Sequence, residues 1–341
     1  MGMETLSERP LVSIGLFVYN SENYVREAVR GMLSQTYSPL EIVISDDGST
    51  DRTWEIINEE CSKFCGHKVI LSRNKHNLGA VRNFEKMASF CHGELVVCCA
   101  GDDVSMPNRV SRIVDEWLLS GKRARLIHTN CVVVNMNGEK MKSRYGYFGA
   151  FHPRGSLAAF SHDVLTSFPP VSRTDAYEDR PYACRAAILN AIDEGCELFI
   201  DEDLVLYRVG NGASTSVGEY RDATIRSLNH SIAGCEQNEI DIMLMQDRLT
   251  ENDRKSLMDK MMSEKSLLVR RRNLLRGDSI VERFRCRQIC NWTGAVKNFL
   301  LGHFGRNFGE IYEFLCVLPK CIGTPLLQIY VDYLYRRGLV V

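Results

Sequence analysis

Three adjacent acidic pairs stand out in this chain: Asp46-Asp47, Asp102-Asp103 and Glu178-Asp179. The first ends the apolar β-branched run Ile42-Val43-Ile44, and Gly48 follows it at once. Ser49, Thr50 and Asp51 then offer N-caps for a helix around Trp54 to Ile57. Ligands of open α/β sheets bind where strands give way to helices. Two carboxylates there suit ribose hydroxyls or the N–H of a base, and they would repel bare phosphate. The second pair ends the run Glu94 to Ala100 on the same edge. Carboxylates there can hold a hard divalent cation that bridges a diphosphate and cancels that repulsion. Each of these pairs alone reads equally well as a polar turn capping the next helix. The third pair opens a helix from Cys184 to Ile192, where acidic residues are ordinary partners of the helix dipole. Arg82, just after Asn77-Leu78-Gly79, reads as a phosphate partner or as a solvated charge.

The elements that must position these groups follow from periodicity. A strand from Leu11 to Val18 ends in Tyr19-Asn20-Ser21-Glu22, where Asn20 or Ser21 can cap the next helix. That helix carries Val25, Ala28, Val29, Met32 and Leu33, and Tyr37-Ser38-Pro39 breaks it. Further strands are expected at 42–44, 68–71 and 94–100, with helices between them. Strand and helix alternating at this pitch predict a parallel, Rossmann-like sheet. No G-x-G-x-x-G follows the first strand, which argues against a dinucleotide enzyme. After Pro107 a helix carries Val110, Ile113, Val114, Trp117 and Leu118. A strand from Leu126 to Asn135 then meets Asn137-Gly138, a tight turn that suggests a hairpin. Tyr145 to Pro153, rich in glycine and aromatics, suits stacking on a sugar or simple packing. A last strand, Leu204 to Arg208, precedes the Gly/Ser stretch Gly210 to Ser216, which reads as a loose loop or a lid. From Glu219 the composition turns to amphipathic stretches at 222–249, 251–275 and 280–337.

Composition excludes little but is consistent. With 341 residues, 45% hydrophobic and 25% charged, the chain has material for a sizeable core. A net charge of −1 gives no global field for nucleic acid, and none is expected as a partner. The thirteen cysteines include no C-x-x-C pair and read as reduced core thiols. No apolar signal segment precedes Pro10, so a cytoplasmic protein is expected, seated at the inner face of the membrane if it meets lipid at all. Pro319, Lys320 and Pro325 interrupt the most apolar run, so no membrane-spanning helix is expected. Arginines 270, 271, 272, 276, 283, 285 and 287 could seat a helix on anionic lipid, or form the solvated face of a dimerisation helix.

Several short motifs together carry a family resemblance. Val12-Ser13-Ile14 through Tyr19-Asn20, Leu33 to Tyr37, Asp46 to Asp51, Asn77-Leu78-Gly79 and Ala100 to Pro107 resemble the inverting family 2 glycosyltransferases, over about residues 10 to 216. The resemblance implies a GT-A fold at 1–218, with a donor half at about 10–105 and an acceptor half at about 106–218. A helical region at 219–341 would follow, for membrane association or dimerisation. It also implies a nucleotide-diphosphate sugar donor (UDP-linked is the expectation), Mn²⁺ or Mg²⁺, and a glycan or lipid-linked acceptor. By the same resemblance Tyr19 lies beside the base and Asp47 reads it, with Asp46, Asn20, Glu22, Arg82 and Arg208 in the donor site. Asp102 faces the ribose, Asp103 binds the metal, Asp179 is the general base and Glu178 holds the acceptor. Two departures stand out: Ala100 occupies the first position of the commoner D-x-D-D motif, and Gly210 stands where a histidine is common. They leave a catalytically inactive glycan-binding or scaffold protein as an alternative. A sugar-1-phosphate nucleotidyltransferase is another, although Tyr19 to Glu22 lacks the Gly-rich basic loop those enzymes usually carry.

Overall fold

A computed structural model describes residues 9–141, 155–209 and 220–276. Strand β1 (Val12–Val18) lies parallel between β2 (Leu40–Asp46) and β4 (Leu95–Ala100), with β3 (Lys68–Arg73) outside β2. Helices α1 (Val25–Leu33), α2 (Thr53–Cys61) and α3 (Ala80–Ala88) make the crossovers. This is the parallel half that the alternation predicts. Beyond β4 the direction changes. After the two-residue β5 (Val104–Ser105), helix α4 (Arg109–Leu119) leads to β6 (Ala124–Val134). Antiparallel β7 (Ala158–Ser161) joins β6 to β4, and β8 (Cys196–Arg208) runs parallel to β6. The order is β3-β2-β1-β4-β7-β6-β8-β5.

The inner strands are apolar on both faces, as a sheet covered on both sides requires. Val12, Ile14 and Leu16 of β1 pack with Val25, Val29, Met32, Val110, Ile113 and Trp117 on one face. Val96 and Cys98 of β4 pack with Val81, Phe84 and Met87 on the other. Buried Gln35 fastens α1 to α4, donating to the Met106 carbonyl at 2.7 Å and accepting the Val110 N–H at 3.0 Å. The expected hairpin turn is present: Gly138 has φ 81°, and Asn135 N–H meets the Glu139 carbonyl at 3.0 Å.

Two elements differ from the sequence reading. β5 is too short for any period to reveal. β8 begins at Cys196, eight residues before the apolar run, because its acidic start finds partners. Glu202 pairs with Arg112 at 2.7 Å and Asp201 accepts from Asn130 at 2.7 Å.

Helix α5 (His162–Thr166) precedes α6 (Asp179–Ile192), and α7 (Tyr220–Leu244) and α8 (Glu251–Arg276) follow. The chain thus turns helical near the expected place. Leu228, Ile232, Cys235 and Met261 share one apolar cluster with Phe84 and Tyr182, so α7 and α8 continue the core of the α/β domain. A fully buried ion pair, Arg185 to Asp241 at 2.8 Å, ties α6 to α7. The described cysteines are free thiols, and burial pushes Cys98 and Cys184 well up from the ordinary thiol range. No helix among the described residues is long and apolar enough to cross a membrane. Of the arginine cluster, only Arg270, Arg271, Arg272 and Arg276 fall within the described residues. Tyr145 to Pro153 and Gly210 to Ser216 lie outside them.

Candidate active site

The parallel register builds the site. Val18 lies opposite Asp46 and Phe17 opposite Ala100, so β2, β1 and β4 release their chains on one edge. Of the expected caps, Asp51 Oδ1 accepts the N–H of Thr53, the first residue of α2, at 2.9 Å, and the others act between loops. Asn20 Oδ1 accepts the Thr50 N–H at 2.9 Å, and Ser49 Oγ accepts the Asn20 N–H at 2.9 Å. Glu22 and the second loop exchange bonds at 3.0 Å each, Glu22 N–H to Asp51 and Arg52 N–H to the Glu22 carboxylate. Neither α1 nor α2 has a side-chain cap at its N-cap residue. Asn20 (φ 47°) and Glu22 therefore lock the two loops together, while Tyr19 stands 43% exposed at the rim.

Asp46 is wholly buried; its carboxylate accepts from Ser49 and from Arg73 Nε at 3.1 Å. It shapes the turn from inside. Asp47, 2% exposed, accepts from Asn74 at 2.8 Å and from the Leu78 and Gly79 N–H groups at 2.9 Å each. Gly79 opens α3 with φ 86°, so Asp47 sets the path of the Asn77-Leu78-Gly79 turn. Arg82 follows on α3 and pairs with Glu85 at 2.6 Å.

The second acidic pair is the electrostatic centre. Asp103 is 5% exposed and accepts the Arg208 N–H at 2.8 Å and a hydrogen bond from the Ser156 side chain. Burial, and then Asp102 beside it, push its carboxyl up to about 7. Burial also raises Asp102. Arg208 donates Nε to the Asp102 carbonyl at 3.1 Å, Nη1 to the Met136 carbonyl at 3.1 Å and Nη2 to Glu27 at 2.8 Å. Its guanidinium also lies 4.7 Å from the Tyr24 ring centroid. Arg208 is thus a cross-link holding β8 against the β4 loop.

A short 3-10 turn, Gly155–Leu157, brings in the third pair. Gly155 N–H donates to Asp179 Oδ2 at 3.1 Å, and its neighbour Ser156 bonds Asp103. A Cβ on Gly155 would sit 3.5 Å from both Glu178 Oε1 and Asp179 Cβ. Buried Arg109 anchors the turn, donating Nη2 to the Ser156 carbonyl at 2.8 Å and Nη1 to Ser105 Oγ at 2.9 Å. Gly155, Ser156 and Arg109 were not anticipated as site residues. Arg109 left one signal: it stands four residues before Ile113 and eight before Trp117, on the apolar stripe of α4.

Burial first, and Asp179 second, push Glu178 up to about 7. Such a group stabilises the fold fully below the ordinary range near 4.5 and loses that contribution as pH rises through about 7. Glu178→Gln removes a half-buried charge only where it exists. The Tm in thermal melts should rise by a few degrees at pH 8 and stay near wild type at pH 5. An equal shift at both values would show that the carboxylate is not held neutral.

The donor chemistry of Asp102 and Asp103 is oxygen only, which fits Mg²⁺ or Mn²⁺ and does not suit soft metals. Among the described residues no group of three or more His, Cys, Asp or Glu side chains gathers around one point. Two such carboxylates would be a partial set for a cation of that kind, to be completed by phosphate oxygens and water.

The half-parallel sheet, with helices following it, defines the class: this is the GT-A fold. Residues 13–167 match the model of the family described as Glycosyl transferase family 2. An uncharacterized glycosyltransferase of Haemophilus influenzae is 36% identical over 105 residues, 31% of this chain and 32% of that protein. A chondroitin synthase of Pasteurella multocida is 28% identical over 198 residues, 58% of this chain and 18% of that protein. The chain thus spans less than a third of the length of these two relatives. The structure of S. aureus TarS 1-349 in complex with UDP-GlcNAc superposes with a TM-score of 0.57 at 15% identity. The match covers 96% of this chain and 92% of that one, and it is a likeness of fold.

Proposed function

We propose that the chain is an inverting glycosyltransferase. It moves a sugar from a UDP-linked donor to a hydroxyl of a glycan or lipid-linked saccharide, as in the assembly of cell-surface polysaccharide. One observation carries the reading: the Gly155-Ser156 turn holds Asp103 and Asp179 on a single wall. A donor-side carboxylate and an acid pair for the acceptor then meet at one anomeric carbon. The UDP-GlcNAc bound by TarS supports a UDP-linked donor. The arginines at 270–287 favour an acceptor presented at an anionic membrane surface.

In this reading Tyr19 and Asp47 receive the nucleoside end and Asp102 the ribose. Asp103 would hold a divalent cation, which would neutralise the charge of the diphosphate. Asp179 takes the proton of the acceptor hydroxyl as its oxygen attacks the anomeric carbon from the face opposite the diphosphate. The new C–O bond forms as the bond to the diphosphate breaks, and UDP carries away the electron pair. The Gly155 N–H orients the Asp179 carboxylate, and Glu178 holds the acceptor.

The test is nucleotide release from a panel of sugar nucleotides with Mn²⁺, with and without acceptor saccharides and anionic vesicles. Release of UDP from one UDP-sugar, stimulated by an acceptor, is the expected result. Ala100 favours a second reading, a binding protein without activity. Nucleotide binding without release from any donor would establish that reading, and pyrophosphate released from UTP and a sugar 1-phosphate would mark a nucleotidyltransferase.

A further inference from the structure

Helix α7 carries Ser227, His230, Gly234, Gln237 and Asp241 at spacings of three and four, which is one face of a helix. Gln237 and Asp241 are 2% and 0% exposed, so this face is turned inward. Buried polar groups cost stability unless each is bonded, and an apolar stripe would pack α7 at less cost. All five residues instead meet one segment, 172–185. Gln237 accepts from Ser172 N–H at 2.8 Å and Arg173 N–H at 3.1 Å, and it donates to Asp241 at 3.0 Å. Asp241 holds Arg185. Ser227 accepts from the Tyr177 hydroxyl at 3.0 Å. The His230 ring lies 5.3 Å from the Tyr177 ring, and its Nδ1–H donates to the Asp175 carbonyl at 2.5 Å. A Cβ on Gly234 would come within 2.9 Å of Arg180 Cδ, so Arg180 passes across this glycine. It reaches Glu264 of α8 at 2.5 Å.

The acid pair lies in the middle of that segment, where a loop becomes helix α6 without a side-chain cap. Tyr177 precedes it and Arg180 follows it. We propose that α7, with Glu264, is the positioning element of Glu178 and Asp179. Ser227 and His230 fix the residue before the pair, and Gly234 and Glu264 fix the residue after it. The inference rests on the reading that this pair serves the acceptor. A misplacement of about 1 Å in a reacting group costs on the order of 10²-fold in rate, so such a clamp has a kinetic purpose.

Gly234→Ala and Glu264→Gln test it in the full chain. Alanine raises helix propensity, so the helix itself should not suffer, while its methyl displaces Arg180. Transfer kcat should fall roughly tenfold or more in both variants, with donor KM, UDP affinity and the number of UDP sites per chain unchanged. Arg180→Lys should keep more kcat than Arg180→Met. Wild-type kcat in both test variants would overturn the inference. So would a parallel loss of UDP sites and transfer, because a purely structural role lowers the folded fraction of everything. Asp179→Asn serves as the control. If it transfers at the wild-type rate, the acceptor reading itself is wrong and this inference falls with it. If it is inactive while the α7 variants are normal, only the positioning role fails.

Discussion

Asp179→Asn should lower transfer to the acceptor by about 10²- to 10⁴-fold, the typical worth of a positioned general base, and leave UDP affinity near wild type. The substitution is nearly isosteric. An asparagine carbonyl can still accept the Gly155 N–H that now meets Asp179 at 3.1 Å, so the turn carrying Ser156 keeps its place. What is lost is the ability to take a proton. Donor binding does not need that ability, so the effect should appear in kcat for transfer and leave the titration of UDP with Mn²⁺ unchanged. Glu178→Gln should be milder and act mainly through acceptor KM. Full transfer by Asp179→Asn together with loss in Glu178→Gln would exchange the two roles. If neither substitution matters, this acid pair is not the acceptor site.

The parallel half was legible because its signals are periodic and local. Ile42 to Ile44 and Leu95 to Cys99 are continuous apolar runs, and each ends in the acidic turn that marks a sheet edge. What those turns do was less legible. Asp46 and Asp47 read as ligand-facing carboxylates, and in the structure both also bond the surrounding turn. Arg208 read as a donor contact, yet it binds Asp102, Met136 and Glu27, the last of these 181 residues away in sequence. No window of sequence contains such a partner. The same limit hid Ser156 and Arg109, whose importance comes only from the bonds they make to each other and to Asp103. Helix α7 shows a different limit. Its stretch read only as amphipathic, with no indication of which residues turn inward; polar Gln237 and Asp241 point into the core because Arg185 and the 172–173 backbone are there to meet them. Periodicity identifies a face, and only packing says which way it turns.

Asp103→Asn should reduce UDP binding in the presence of Mn²⁺ to the level seen with EDTA. Two carboxylates side by side in a buried turn are under-compensated: burial and Asp102 push Asp103 up to about 7, although Arg208 N–H and Ser156 bond it. A divalent cation would supply the missing positive charge and link the pair to a diphosphate that they would otherwise repel. Asparagine retains an oxygen for the Arg208 N–H and Ser156, so the loop should hold its shape while the charge that recruits the cation is gone. Loss of one outer-sphere partner already costs about 10- to 100-fold in metal affinity, so loss of the carboxylate itself should cost at least that. Calorimetric titration of UDP into wild type and variant, with Mn²⁺ and then with EDTA, gives four affinities. Only wild type with Mn²⁺ should be tight. Equal affinities in wild type with and without metal would end the metal role. A variant that binds as tightly as wild type in Mn²⁺ would move the cation to other ligands, and Ala100 at the head of the motif would then mark a site that has lost its metal.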